Sequence, residues 1–237
     1  MRIIKLFFAL FIFASFPFAA NLKISDIPNT IIDVAPKNQN ITLNPGDDIQ
    51  KAIDSLSDGG KITFSAGNYD TLEAIVLNGR KDLILEGTSE VWINTKGIDH
   101  HVITLIDCHN IILDNIKMQH VILEEGDNNP VANAEDGAVL GILGGSDVSI
   151  MNCELVGCGI YGVYAKSATP ILLEGCYLHN NSKSAVFMTA GAKTMYATIR
   201  DCTITKNADS IELQGDVVLS REGENLVESN SPGDYMK

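Results

Sequence analysis

Four segments in the second half of the chain superimpose on one another, and this self-similarity restricts the fold more than any other feature. They are Ile112-Leu-Asp-Asn-Ile-Lys-Met118, Ser149-Ile-Met-Asn-Cys-Glu-Leu155, Leu172-Leu-Glu-Gly-Cys-Tyr-Leu178 and Thr198-Ile-Arg-Asp-Cys-Thr-Ile204. Leu113, Ile150, Leu173 and Ile199 coincide, as do Asn115, Asn152, Gly175 and Asp201. So do the pivots Ile116, Cys153, Cys176 and Cys202, and the ends Met118, Leu155, Leu178 and Ile204. The steps between copies are 37, 23 and 26 residues. A period of this size marks stacked units, none of which buries its apolar face alone.

Each copy alternates apolar and polar residues, bends for one or two residues, and alternates again. That is strand periodicity on both sides of a corner. A further short strand recurs at Val163-Tyr164, Val186-Phe187-Met188 and Ile211-Glu212-Leu213. Three short strands per turn of about 23 residues, with no helical stretch between them, describe an all-β chain wound as a single-stranded parallel β-helix. The Leu-x-x-Leu-x-Leu-x-x-Asn frame of a leucine-rich repeat is absent.

The N-terminus has the layout of a secretory signal peptide over residues 1–20. Met1–Lys5 is basic, Leu6–Phe18 is almost wholly apolar, and Ala19-Ala20 are small. An uncleaved anchor is the competing reading, but the apolar run falls short of the roughly 20 residues a membrane span needs. Removing residues 1–20 leaves about 217 residues, enough for one solenoid, and deletes Arg2 and Lys5, taking the net charge from −13 to about −15. Such a surface repels nucleic acid and anionic lipid. The expectation is a secreted or periplasmic monomer.

Residues 21–40, with Pro28 and Pro36, form a polar, extended lead-in. Ile41-Thr-Leu43 reads as a first strand. Asp47 or Asp48 then caps a short helix whose Ile49, Ala52, Ile53 and Leu56 share one face. Gly59-Gly60 end it, and Lys61–Phe64 returns to strand. One amphipathic helix ahead of a stack of β coils plugs the end of the apolar bore.

The stretch Asp48-Ile-Gln-Lys-Ala-Ile-Asp54, Gly59-Gly60, Phe64 and Gly67-Asn-Tyr69 resembles the capping segment of the pectin-lyase-like superfamily of right-handed parallel β-helices. The later repeats are similar to that superfamily's short β-helix repeats. The resemblance implies a right-handed coil over residues 41–221 with an N-terminal capping helix, leaving 222–237 as a polar tail. It is nearly silent on activity, because the scaffold carries lyases, hydrolases, adhesins and proteins of no known activity.

Between the cap and the clear repeats lie coils of looser register, among them Asp82–Gly87, with Leu85 28 residues before Leu113. The long step is explained by an excursion from Gln119 to Asp136, rich in carboxylates. Of five cysteines, Cys153, Cys176 and Cys202 read as a stacked column of buried thiols, while Cys108 and Cys158 fall in turns.

The resemblance implies a cleft along the outside of the sheet that follows the variable loop. Here that sheet carries Val163, Val186 and Ile211 inward, so Tyr164, Phe187 and Glu212 point outward, joined by Thr104 and Leu140. A calcium-dependent lyase needs clustered carboxylates and a base there, and a polygalacturonase-type hydrolase several aspartates and a histidine. The hydrolase blocks Asn-Thr-Asp, Asp-Asp and Gly-His-Gly have no counterparts on the coils of this sheet. Val91-Trp-Ile-Asn94 echoes the pectate lyase Val-Trp-Ile-Asp-His block, with Asn94 for the acid and Thr95 for the histidine.

The row instead predicts a stacking platform for sugar rings on Tyr164 and Phe187, with Glu212, Thr104, Asn180 and Asn181 as polar partners. Asp99, His100, His101, Asp107 and His109 make a second cluster, conceivable as a metal or acid–base site but better explained as a solvated turn. No cofactor is required. Calcium is the candidate metal, its ligands drawn from Glu124, Glu125, Asp127, Glu135 and Asp136, although these lack EF-hand spacing. The expected function is glycan binding without a catalytic constellation. The alternatives are a polysaccharide lyase or hydrolase of the same superfamily, and a structural or adhesive solenoid that binds a protein.

Overall fold

Strand follows strand with a corner between each pair, and every pairing is to the strand one coil away. The computed structural model describes residues 39–96, 99–121, 137–157 and 160–231. The chain enters through β1 (Asn40–Leu43) and the helix α1 (Ile49–Ser55). Six three-strand coils follow. The first three are β2 (Lys61–Phe64), β3 (Gly67–Thr71) and β4 (Ile75–Asn78), then β5 (Lys81–Gly87), β6 (Val91–Lys96) and β7 (Ile103–Ile106), then β8 (His109–Asp114), β9 (Lys117–Val121) and β10 (Leu140–Leu143).

The next three are β11 (Ser146–Met151), β12 (Glu154–Val156) and β13 (Val163–Lys166), then β14 (Ile171–Glu174), β15 (Tyr177–His179) and β16 (Ser184–Thr189), then β17 (Met195–Arg200), β18 (Thr203–Thr205) and β19 (Asp209–Gln214). β20 (Val217–Glu222) and β21 (Leu226–Glu228) begin a seventh, so strand pairing continues into the segment expected as a polar tail. The first sheet runs β1-β2-β5-β8-β11-β14-β17-β20, the second β3-β6-β9-β12-β15-β18-β21, and the third β4-β7-β10-β13-β16-β19. All ladders are parallel.

Alternation decides which residues enter the bore. Leu85, Leu113, Ile150, Leu173 and Ile199 stand in register and are 0–1% exposed. Met118, Leu155, Leu178 and Ile204 do the same on the second sheet. Each such side chain contributes roughly 1.5–3 kcal/mol of burial, and a slot shared by all coils makes the contribution repeat.

At the corner between first and second sheets, Asn115, Asn152, Gly175 and Asp201 all have φ between 51° and 63°. That left-handed conformation turns the chain in one step, and Asn, Asp and Gly are the residues that tolerate it. The pivots Cys153, Cys176 and Cys202 follow, each buried and free.

The helix sits as its pattern predicts. Ile49, Ala52 and Ile53 are buried, and the Asp48 carboxylate accepts from Lys51 N at 2.9 Å. Arg80, reaching over from the next coil, donates to the terminal carbonyl of Ile53 at 2.7 Å and to that of Leu56. The other end differs. Ile211, Val217 and Leu219 are only partly buried, Leu213 and Val227 are 42% and 38% exposed, and Arg221 takes the slot that Ile199 holds one coil earlier.

Candidate functional site

On the outside of the third sheet the register sets Val76, Thr104, Gly141, Tyr164, Phe187 and Glu212 in one row. A parallel row holds Asn78, Ile106, Leu143, Lys166, Thr189 and Gln214. Among the described residues, these rows contain one carboxylate, Glu212, and one lysine, Lys166.

The outward slot of β10 belongs to Gly141. Leu140, expected there from the alternation, pairs with the inward Ile103 and Val163 and is fully buried. Gly141 leaves room for an imidazole from the preceding coil: a Cβ at this position would lie 2.2 Å from Cδ2 of His101. His101 accepts from Ala138 N through Nδ1 at 3.1 Å, and its ring lies 6.1 Å from that of Tyr164 at an interplanar angle of 22°.

The rings continue from there. Tyr164 and Phe187 stack with centroids 5.6 Å apart and planes 4° from parallel, the geometry that adjacent outward positions in a parallel ladder produce. Tyr161, from the corner before β13, stacks against both, 6.0 Å from Tyr164 and 5.0 Å from Phe187. With Ala138 and Ile160 it encloses Tyr164, which is 3% exposed.

The expected two-ring platform is therefore corrected. Tyr164 is an enclosed backing ring, and Phe187 alone is half-buried, beside the exposed Glu212. No pattern in the strands announces Tyr161 as a cover, because it lies in a corner. Around Phe187, Ser184 Oγ donates to Glu212 Oε2 at 3.2 Å, Thr189 Oγ1 to Gln214 Oε1 at 3.3 Å, and Lys183 Nζ sits 5.8 Å from the Tyr161 ring centroid. Lys166 and Lys183 are exposed.

Three expected polar partners are not presented beside Phe187, although Thr104 keeps its place in the row. Thr104 is 7% exposed. Asn181 is fully buried and donates through Nδ2 to Asn207 Oδ1 at 2.7 Å, while Asn207 donates likewise to Asn230 Oδ1 at 2.8 Å. This amide ladder holds successive corners together and is closed to a ligand. Asn180 remains at the edge, with φ 58° and its Oδ1 2.5 Å from His179 Nδ1.

The histidine and acid cluster is dispersed. His100 Nδ1 contacts Asp99 Oδ1 at 2.8 Å and His109 Nδ1 contacts Ser146 Oγ at 3.0 Å, while Asp107 occupies the turn after β7. His120, which no motif singles out, points inward beside Thr95 and donates through Nε2 to His100 O at 2.8 Å. Burial pushes its pKa down to about 4.

The pectate-lyase echo lies on the second sheet. Asn94 bridges Asp70 and Gln119 at 2.9 Å each, and Thr95 is buried against Thr71. That sheet's charges are paired too: Lys117 Nζ lies 3.0 Å from Glu90, 3.2 Å from Glu154 and over the Trp92 ring, and Glu154 also meets His179.

Among the described residues, no group of three or more His, Cys, Asp or Glu side chains is arranged to hold a metal. The calcium candidates Glu124, Glu125, Asp127, Glu135 and Asp136 lie outside the described residues, as do residues 1–20, expected as a signal peptide, and nearly all the expected lead-in. A cavity of about 470 Å³ opens at the capped end, lined by Asp47, Asp48, Gln50, Tyr69, Asp70 and Glu73 among others, away from the aromatic row. No helix among the described residues is long and apolar enough to cross a membrane.

Comparison with known proteins fits this geometry. Residues 137–232 match the model of the right-handed β-helix region. The chain is a right-handed parallel β-helix. Among solved structures, this β-helix is similar to the major allergen jun a 1 of cedar pollen, with a TM-score of 0.54 at 12% identity, over 78% of this chain and 66% of the allergen. It also matches a pectin methylesterase in complex with a hexasaccharide, with a TM-score of 0.47 at 12% identity over 74% and 66% of the two chains. A pectin methylesterase from Aspergillus niger gives 0.44 at 14% identity over 83% and 88%. A comparison with curated protein sequences finds no match. At 12% identity the likeness to the allergen shows a shared fold and leaves the chemistry to the site.

Proposed function

We propose that this β-helix is a secreted or periplasmic protein that binds a glycan on the outside of its third sheet, toward the open end, without cleaving it. The supporting observation is Phe187, a half-buried ring fixed parallel to Tyr164 at 5.6 Å, with the exposed Glu212 next to it in the row. A ring immobilised on a rigid sheet gives the C–H face of a sugar a surface to stack on at little entropic cost. Glu212, Thr189 and Gln214 supply acceptors and donors for hydroxyls, and Lys166 and Lys183 supply positive charge on an acidic chain. Tyr164 and His101 position the ring from behind.

A glycan array tests this reading. Phe187→Ala is expected to reduce retention of the bound glycan at least tenfold, and Glu212→Gln to reduce it less. Unchanged binding by Phe187→Ala removes the site. Release of unsaturated or reducing ends from a polysaccharide by the wild-type chain, in the presence of calcium, replaces the binding reading with a catalytic one.

A further inference from the structure

We propose that Cys176 and Cys202 form a modification site, at which a small-molecule disulfide converts the two thiols into an intramolecular disulfide bond. Cys153, Cys176 and Cys202 occupy one corner slot on consecutive coils, each free and 1% exposed. The flanking pairs Glu174 with Arg200 and Tyr177 with Thr203 are in register, and Thr203 N donates to Cys176 O at 2.8 Å. The Cα separation therefore follows the strand spacing of about 4.8 Å, inside the disulfide range of about 4.4–6.8 Å. Parallel Cβ vectors leave the Cβ atoms near that same spacing, a few tenths of an ångström outside the usual limit of about 4.5 Å. Both residues lie between strands rather than in a ladder, so closing the gap shifts the corner and not a strand.

The two thiols already interact. Contact with Cys202, together with burial, holds the Cys176 thiol well above its ordinary value, and the same contact pulls Cys202 below it. Cys153 is the less suitable partner. It is wholly enclosed, burial pushes its thiol up to about 12, and its Sγ faces Leu113 O at 3.6 Å. It also lies two coils from Cys202, about 9.6 Å away by the strand spacing and beyond a disulfide's reach.

Position adds selectivity. Cys202 lies one coil from the open end, where Leu213, Leu226 and Val227 are 42%, 49% and 38% exposed. A coil with so few buried contacts opens at lower cost than the interior, and its opening uncovers Cys202 first. The Cys202 thiolate then attacks one sulfur of oxidised glutathione, expelling one glutathione thiolate. Cys176 gives up its proton and attacks the Cys202 sulfur, expelling the second. The protein thiols lose two electrons and two protons, and the oxidant gains them as two thiols.

Incubation of the native chain with millimolar oxidised glutathione, followed by intact-mass measurement and peptide mapping, tests the site. The expected product has lost two hydrogens and joins the peptides that contain Cys176 and Cys202. Cys153→Ser and Cys108→Ser leave the reaction intact. Cys176→Ser stops at a glutathione adduct on Cys202, and Cys202→Ser, or Cys202→Ala where serine disturbs folding, gives no crosslink. The proposal is overturned by a wild-type chain that stops at the adduct, by one that stays reduced even in dilute urea, or by a crosslink to Cys153.

Discussion

The two ends of this solenoid repeat the same inward slots and treat them differently. At the first coil, α1 lies across the bore, Ile53 is 1% exposed, and Arg80 satisfies the helix's last carbonyls. At the last, Leu213 and Val227 fill slots that are fully buried one coil earlier, and 42% and 38% of their surfaces are exposed. Sequence periodicity is therefore no measure of local stability. A slot is worth its full burial only when coils or a cap lie on both sides of it. Among the described residues, Arg221 puts a charge in an inward slot of the last coil, which makes that edge a poor template for pairing.

The largest test of this contrast places one substitution at each end. Ile53→Asp buries a carboxylate beneath the cap and is expected to cost about 4 kcal/mol or more, whereas Leu213→Asp costs less than about 1 kcal/mol. Urea titration of both variants checks it, and equal costs would break the comparison.

Next is the dry interior between the ends. His120 has a pKa near 4 when folded against about 6.5 when unfolded. The unfolded chain therefore binds the proton first as pH falls. The stability this neutral histidine allows is complete above pH 6.5 and declines between 6.5 and 4, by up to about 3 kcal/mol. His120→Leu should flatten that part of the pH–stability curve, measured as the change in urea midpoint between pH 7 and 5.

The amide ladder gives a smaller effect that sharpens the contrast. Asn207→Ala leaves Leu178 O and Asn181 without their partner in a fully buried corner, at a cost of about 2 kcal/mol. Asn230→Ala, at the half-buried last rung of the same ladder, should cost less than half as much by the same titration. Smallest in stability is Arg221→Ile, expected to change the unfolding free energy by less than about 1 kcal/mol. It restores an apolar edge, so concentration-dependent association should appear by light scattering.

Much of this architecture is legible in the chain because a parallel coil repeats its register. Leu113, Ile150, Leu173 and Ile199 align in sequence and stack in space for one reason, and the outward row of Thr104, Tyr164, Phe187 and Glu212 follows from the same alternation. What alternation does not carry is the content of the corners between the second and third sheets. His101 over Gly141 and Tyr161 over Tyr164 come from such corners at positions that do not repeat, whereas the buried amide of Asn181 does repeat, at Asn207 and Asn230. The glycine at 141 was the available clue: a missing side chain in an outward row marks a place where something else lies down.

The left-handed corners between the first and second sheets have a consequence for how such a chain tolerates change. Asn115 donates to Gly87 O at 2.8 Å, Asn152 to Asp114 at 2.9 Å, and Asp201 accepts from Glu224 N at 2.8 Å, so each corner is indexed to the coil beside it. In two places the coil after such a side chain has glycine: a Cβ at Gly175 or Gly223 would strike Asn152 or Asp201. A strand slipping by two residues would keep its apolar face yet lose this indexing. Length variation between homologous chains should therefore collect where 18 residues already separate β9 from β10, and a single residue inserted at a left-handed corner should not survive.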